Sequence, residues 1–212
     1  TSIREIPTGV ISPAAAFGLV VICCAGFMLC TYFINSLCFY LSPVALLVIL
    51  GYSYTKRFTP LCHLVLGVGL SLAPIGAYIA LTEQFAVLPI LFSILVFFWV
   101  SGFDIIYALQ DDEFDRSQNL KSIPVYLGRT RALLLSRFLH AGAALMVMLA
   151  FFMGAFGWAY LIGAAVFISM LVYQHTLVKA NDLSRVNLAF GTTNGIASVV
   201  FCLFVCSDIF LF

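Results

Sequence analysis

Seven apolar runs, each long enough to cross a lipid bilayer, fill most of this 212-residue chain. A membrane-spanning helix needs about 20 mainly apolar residues, and 63% of the residues here are hydrophobic, well above a soluble domain. The sequence therefore predicts an all-α, polytopic membrane helix bundle that forms one membrane-embedded domain over residues 1–212. The predicted spans cover roughly residues 13–34, 37–54, 61–81, 85–107, 132–154, 157–178 and 188–210.

The basic residues support this count of seven spans. Nine of the ten Lys and Arg residues fall in the N-terminal segment or in every second connection, and the tenth, Arg137, lies in the first turns of the fifth span on the same side; the remaining connections contain none. By the positive-inside rule, the basic side of the bundle is the cytoplasmic side. The net charge of +1 gives no indication of a nucleic-acid partner, and nothing in the sequence implies a protein partner.

An acidic run follows the fourth predicted span. Five of the nine acids of the chain lie within residues 104–115, and grouped anions beside a membrane are unfavourable unless a cation binds them. At about 100° per residue in a helix, Asp104, Asp111 and Asp115 share one face with Tyr107. Glu113 points about the opposite way, and Asp112 lies at the edge of the face.

Carboxylates without accompanying histidines suit Mg²⁺, which completes its shell with water and substrate phosphates. Lys56, Arg57 and Lys121 lie on the same predicted membrane side and can share the charge of a diphosphate. The three histidines are far apart in the sequence, and we interpret them as packed or interfacial residues; they are His63, His140 and His175. These residues predict Mg²⁺-dependent handling of a phosphorylated lipid and leave the reaction open.

Small residues mark places where helices can approach closely, and we interpret them as packing sites. They are Gly67, Gly69, Gly163 with Ala164, Gly191 and Gly195. Asn187, Thr192, Thr193 and Asn194 make the start of the last span unusually polar. A binding role for this polar segment is the less favoured interpretation.

The amino-acid sequences of several segments resemble those of the UbiA family of intramembrane aromatic prenyltransferases. The run Asp104-x-x-Tyr107-Ala108-x-x-Asp111-x-x-x-Asp115 resembles the second aspartate-rich motif of that family. Residues 4–12 and residues 54–59 with Leu66-Gly67 resemble further family segments, and Tyr173-Gln174 followed by Asn181 and Asn194 resembles the family's run into its last helix. Within the family, the pattern is most similar to the 4-hydroxybenzoate polyprenyltransferases of ubiquinone synthesis.

The resemblance implies which residues form the site. Asp111 and Asp115, assisted by Asp104, would hold Mg²⁺ on the diphosphate of a polyprenyl diphosphate. Tyr107 would position substrate or shield a carbocation, to which the ring of an aromatic acid adds. The phosphate contacts would come from Lys56, Arg57, Lys121 and Arg4. Asn119 stands where the family commonly has Gly, and it tolerates the left-handed turn expected there.

The resemblance also implies nine helices in a complete protein and a first aspartate-rich motif before Thr1. We therefore expect this chain to hold the last seven helices, to lie in a bacterial inner membrane, and to be inactive alone. Two alternatives stay open: the acceptor is another ring, such as a naphthoate of menaquinone synthesis, or the protein is an ion or proton-coupled transporter. Intramembrane acids of transport pathways usually lie at mid-depth, whereas these lie at a helix end.

Overall fold

The computed structural model describes residues 5–211, which form an all-α helix bundle. Seven of its helical segments are long and apolar enough to cross a membrane, as the sequence predicts. The helices are α1 (Pro13–Ile34), α2 (Ser36–Thr55), α3 (Cys62–Thr82), α4 (Val87–Ala108), α5 (Asp112–Ser117), α6 (Ile123–Leu127), α7 (Arg129–Gly154), α8 (Trp158–Leu177) and α9 (Asn194–Leu211). A 3₁₀ turn, Leu109–Asp111, joins α4 to α5, and a π-helical segment, Leu188–Thr193, leads into α9.

Polar side chains set the starts of the first two helices. The Ser12 hydroxyl accepts a hydrogen bond from Ala15 N at 3.2 Å, ahead of Pro13 in the first turn of α1. Asn35 caps α2 by accepting from Cys38 N at 2.8 Å. Its Nδ2 donates to Ile79 O at 2.8 Å, which fixes the α1–α2 turn against the end of α3. A single capping residue therefore sets the start of one helix and its packing on another.

The buried centre of the bundle lies among α4, α7 and α8, whereas α1 and α2 lie at its edge. One apolar cluster contains Ile105, Ile106 and Leu109 of the α4 end and packs with residues of α6, α7 and the segment before α9. A second cluster surrounds Tyr160 and Phe167 of α8 in the other half of the bundle. The first cluster supports the end of α4, where the acidic run begins.

Two of the predicted packing glycines lie at close helix contacts. A Cβ on Gly163 would lie 2.7 Å from Phe204 Cβ of α9, and one on Gly67 would lie 2.9 Å from Phe97 O of α4. For Gly191 and Gly195 the packing interpretation is wrong, because a Cβ at either position would meet no described atom within 4 Å. Gly69 is in ordinary contact with Val48.

The acidic run is not one continuous α-helix. The prediction that Asp104, Asp111 and Asp115 share one face assumed an unbroken helix, and this assumption is wrong. Helix α4 ends at Ala108, and a 3₁₀ turn separates it from α5. The longest predicted loop therefore contains two short helices, α5 and α6. Between them Asn119 has a φ of 53°, so the left-handed turn expected at this residue is present.

We predict that Gly163→Leu lowers the stability of the bundle. The new side chain must displace Phe204, and overpacking of this kind costs about 1–3 kcal/mol. The measurement is thermal unfolding of the detergent-purified protein. Gly26→Leu is the matched control, because Gly26 lies within α1 and a Cβ there meets no described atom within 4 Å. Equal losses of stability in the two variants would contradict the assignment of Gly163 to a tight helix contact.

Candidate active site

A cavity of about 200 Å³ opens between the end of α2, the start of α3 and the end of α4. Its lining includes four residues predicted for the site, Lys56, Asp104, Tyr107 and Asp111. The other lining residues are Tyr52, Ser53, Cys62, His63 and Ala108. Apolar helices thus place acidic, basic and hydroxyl groups together in one cavity at the basic end of the bundle.

Lys56 connects the cavity to α5. Its Nζ lies 2.8 Å from Oδ2 of Asp115, whose side chain is 1% exposed. Apart from this ion pair, neither buried oxygen of Asp115 has a hydrogen-bond partner among the described residues. A buried carboxylate with unused lone pairs is suited to bind a further cation.

The loop after α2 is fixed by backbone contacts to the segment after α5. Lys121 N donates to Lys56 O at 2.7 Å, and Lys121 Nζ donates to Phe58 O at 3.2 Å. Leu120 N donates to Asp115 O at 2.8 Å. These bonds hold the Lys56 side of the cavity against the aspartate side.

Asp104 has a histidine partner from another helix. His63, in the first turn of α3, places Nδ1 2.6 Å from Oδ2 of Asp104. His63 is buried, as the packing interpretation expects, and it also lines the cavity. His140 is buried too, and its Nδ1 lies 3.0 Å from Nε2 of His175, so these two histidines pack against each other. A contact between residues 41 positions apart leaves no periodic signal in the sequence.

Asp112 has a structural role that the helical count missed. Its side chain is 6% exposed, and it accepts two hydrogen bonds at 2.8 Å from Nε and Nη2 of Arg129. Glu113 is 88% exposed and lies at the rim of the same pair. This bidentate pair joins the start of α7 to α5 and thereby helps to hold the acidic run in place.

Two of the other predicted phosphate contacts, Arg57 and Lys121, are not part of the cavity lining. Arg57 is exposed, with its guanidinium 5.8 Å from the Tyr54 ring centroid. Lys121 is exposed, and its amine bonds to Phe58 O as described above. Arg4 lies outside the described residues. Roles for these three in phosphate binding stay predictions.

Tyr107 is backed by an aromatic side chain that the sequence analysis did not single out. The ring centroids of Tyr107 and Phe190 are 4.2 Å apart, and Phe190 also contacts Phe103 at 5.5 Å. Phe190 lies in the π-helical segment before α9. Such wide turns are often found at functional sites, and this one places an aromatic ring directly behind the cavity wall.

Two of the polar residues at the start of the last span, Thr193 and Asn194, stabilise this wide turn. Thr193 Oγ1 donates to Ala189 O, and Asn194 Nδ2 donates to Phe190 O at 2.8 Å. Asn194 Oδ1 accepts from Trp99 Nε1 at 2.9 Å and from Gln174 Nε2 at 2.5 Å. The side chain of Asn194 therefore ties together α4, α8 and the last membrane span, and its role in the structure is internal.

The residues fit a magnesium ion in the way this ion usually binds, although no three His, Cys, Asp or Glu side chains among residues 5–211 cluster as a metal site. Mg²⁺ commonly takes only one or two carboxylates from the protein and draws its other oxygens from water and substrate phosphates. Asp111 lines the cavity, and the buried oxygens of Asp115 have no described partner besides the Lys56 ammonium. Asp104 fits less well, since one of its oxygens is bonded to His63.

Comparison with known proteins identifies the family. Residues 1–204 match the UbiA prenyltransferase family. The chain belongs to this family. It is 27% identical over 201 residues to a 4-hydroxybenzoate octaprenyltransferase of Citrobacter koseri, covering 95% of this chain and 69% of the relative. A protein of the same name from Francisella tularensis subsp. mediasiatica is 28% identical over 207 residues, covering 97% of this chain and 72% of the relative.

Solved structures agree with this assignment. The apo structure of a UbiA homolog from Aeropyrum pernix K1 is 28% identical with a TM-score of 0.88, covering 98% of this chain and 77% of that one. A digeranylgeranylglyceryl phosphate synthase is 20% identical with a TM-score of 0.75, covering 98% and 74%, and shares the fold. UbiA membership supports an enzyme, and the membrane-spanning helices make this chain an integral membrane protein.

We predict that Asn194→Ala destabilises the protein by about 1–3 kcal/mol, because it leaves buried groups of Trp99 and Gln174 without their acceptor. Unfolding in detergent measures the loss. Asn181→Ala is the control, since Asn181 is exposed, and surface substitutions usually change stability by less than about 0.5 kcal/mol. A stable Asn194→Ala variant would contradict the internal role assigned to this amide.

Proposed function

We propose that this protein transfers a polyprenyl group from an allylic polyprenyl diphosphate to an aromatic acid, with 4-hydroxybenzoate as the acceptor, in ubiquinone synthesis. The observation that carries the proposal is the meeting of Lys56, Asp111 and the Lys56–Asp115 ion pair at one cavity. The names of the 4-hydroxybenzoate octaprenyltransferases, at 27% and 28% identity, support the acceptor. We place the reaction at the cytoplasmic face of a bacterial inner membrane, because the cavity lies at the basic end of the bundle.

The two substrates need different surroundings, and the bundle supplies both. The polyprenyl tail is apolar and stays among the membrane helices, whereas the diphosphate needs cationic partners at the membrane edge. Lys56 is the cation that lines the cavity. Mg²⁺ held by Asp111 and Asp115 would neutralise the diphosphate and stabilise it as a leaving group.

The transfer breaks the bond between the allylic carbon and the diphosphate oxygen and leaves an allylic carbocation. The ring carbon ortho to the acceptor hydroxyl adds to this cation, and the ring then loses the proton of that carbon. Tyr107, supported by Phe190, presents an aromatic face at the cavity wall. An aromatic face stabilises a nearby cation and excludes water that would otherwise capture it.

We predict that Asp111→Asn and Asp115→Asn each lower prenyl transfer at least about 100-fold, because each removes a carboxylate from the leaving-group site. The assay supplies labelled polyprenyl diphosphate and 4-hydroxybenzoate to the full gene product in proteoliposomes, with and without Mg²⁺. Glu113→Gln, in the same acidic run, should retain most activity because Glu113 is 88% exposed.

Normal turnover in both aspartate variants, or turnover without any divalent cation, would contradict these assignments. Running the same assay on the isolated 212-residue chain tests the prediction that this chain alone is inactive.

We predict that Lys56→Met raises the KM for polyprenyl diphosphate on the order of 10- to 100-fold, the loss expected for one charge-assisted contact. The KM for 4-hydroxybenzoate should change little. Lys179→Met is the control, because Lys179 belongs to the connection between α8 and the last span and does not line the cavity. An unchanged KM for the diphosphate in Lys56→Met would remove Lys56 from the diphosphate site.

The alternative acceptor is tested by competition. Equal amounts of 4-hydroxybenzoate and a hydroxynaphthoate, supplied together, should give the benzoate product predominantly. Predominance of the naphthoate product would instead support a role in menaquinone synthesis.

The transporter alternative has no observation in its favour among the described residues.

A further inference from the structure

His63 is a buried polar residue that has no role in the reaction steps proposed above. It is 2% exposed and lines the cavity at the start of α3. Its Nδ1 is bonded to Asp104, whereas its Nε2 has no hydrogen-bond partner among the described residues. Leaving a buried polar atom unpaired costs stability, so Nε2 is an atom to which a bound ligand can supply the missing partner.

Asp104 determines which nitrogen of His63 remains for a ligand. A carboxylate only accepts hydrogen bonds, so Nδ1 carries the hydrogen in the 2.6 Å contact. In the neutral ring, Nε2 then has a free lone pair and accepts a hydrogen bond. Because Asp104 lies in α4 and His63 in α3, packing of these two helices fixes the direction of the imidazole.

The cavity is lined by two kinds of polar group, charged side chains and a neutral hydrogen-bond acceptor. Lys56 and Asp111 are charged and suit a diphosphate with its metal, whereas the lone pair of His63 Nε2 suits a neutral donor. Among the two proposed substrates, the hydroxyl of the aromatic acceptor is such a donor, and the polyprenyl diphosphate offers none. Tyr52 and Ser53 line the same cavity with further hydroxyl groups.

We propose that His63, oriented by Asp104, accepts a hydrogen bond from the hydroxyl of the aromatic acceptor and thereby selects a hydroxylated ring. This inference rests on the proposed function and adds a residue that determines acceptor specificity. The hydrogen bond draws the hydroxyl proton toward Nε2 and increases the electron density of the ring at the ortho carbon, where the new bond forms. Asp104 acts here as a positioning residue, not as the assisting metal ligand that the resemblance implies.

The experiment measures how binding of the acceptor depends on its hydroxyl. Dissociation constants of 4-hydroxybenzoate and 4-methoxybenzoate are measured by competition against labelled 4-hydroxybenzoate, using the full gene product in nanodiscs. A site built to bond a hydroxyl discriminates strongly against an analogue that cannot donate. We expect wild type to prefer the hydroxyl compound by about 10-fold or more, and His63→Ala to bind both compounds about equally.

Two further variants separate this role from a general loss of structure. His63→Gln keeps an amide that can accept the bond, so it should recover part of the preference. Asp104→Ala should lower the preference as His63→Ala does, whereas Asp104→Asn keeps an acceptor for Nδ1 and should largely preserve it. The KM for polyprenyl diphosphate should stay within about twofold of wild type in the His63 variants.

The inference is overturned if folded His63→Ala, with wild-type thermal unfolding, keeps the full preference for the hydroxyl. It is equally overturned if the preference that depends on His63 follows the carboxylate, tested by replacing 4-hydroxybenzoate with 4-hydroxybenzamide. If wild type prenylates no aromatic acceptor, the proposed function itself fails. If transfer occurs and His63 has no effect on acceptor preference, only this inference fails.

Discussion

The site depends on pairing each buried or half-buried carboxylate of the acidic run with a basic group from another segment. Asp115 forms an ion pair with Lys56 and Asp112 with Arg129, and Asp104 accepts a hydrogen bond from His63. An unpaired charge at the edge of an apolar bundle is costly, so these contacts determine how α2, α3 and α7 meet the end of α4. Lys56 and Asp111 line the same cavity.

The three pairs differ in how completely they satisfy their carboxylates. Two nitrogens of Arg129 donate hydrogen bonds to the two oxygens of Asp112. Because both oxygens are bonded, this pair is suited to a structural role. Lys56 contacts Asp115 through one oxygen, and neither oxygen has a further partner among the described residues. A cation that binds Asp115 in place of this ammonium would leave Lys56 to contact an arriving anion. The incompletely bonded pair is thus the better candidate for binding chemistry.

The sequence predicts the fold well because hydropathy alone decides where membrane helices can exist. The first predicted span coincides with α1, and the other six agree with the observed helices within a few residues. It also predicts that Lys56, Asp104, Tyr107 and Asp111 share a site, since a helical repeat and one charged membrane face bring them together. Fold and approximate site therefore follow from patterns that are local or periodic.

What the sequence could not predict depends on contacts between distant segments. His63 meets Asp104, and Arg129 meets Asp112, only after helices pack, so neither contact has a signature along the chain. The π-helical turn at Leu188–Thr193 was missed because it needs side-chain partners from Thr193 and Asn194 rather than a change in hydropathy. The polar residues at the start of the last span were its sign in the sequence. Two of them, Thr193 and Asn194, donate hydrogen bonds to backbone carbonyls of the turn.

The most direct test of the account is a cryo-EM structure of the full gene product with Mg²⁺ and an unreactive polyprenyl thiodiphosphate. We expect the diphosphate to lie in the cavity lined by Lys56 and Asp111, with Mg²⁺ on Asp111 and Asp115 and with Lys56 moved from Asp115 to a phosphate oxygen. A diphosphate bound elsewhere, with the Lys56–Asp115 ion pair still in place, would contradict it.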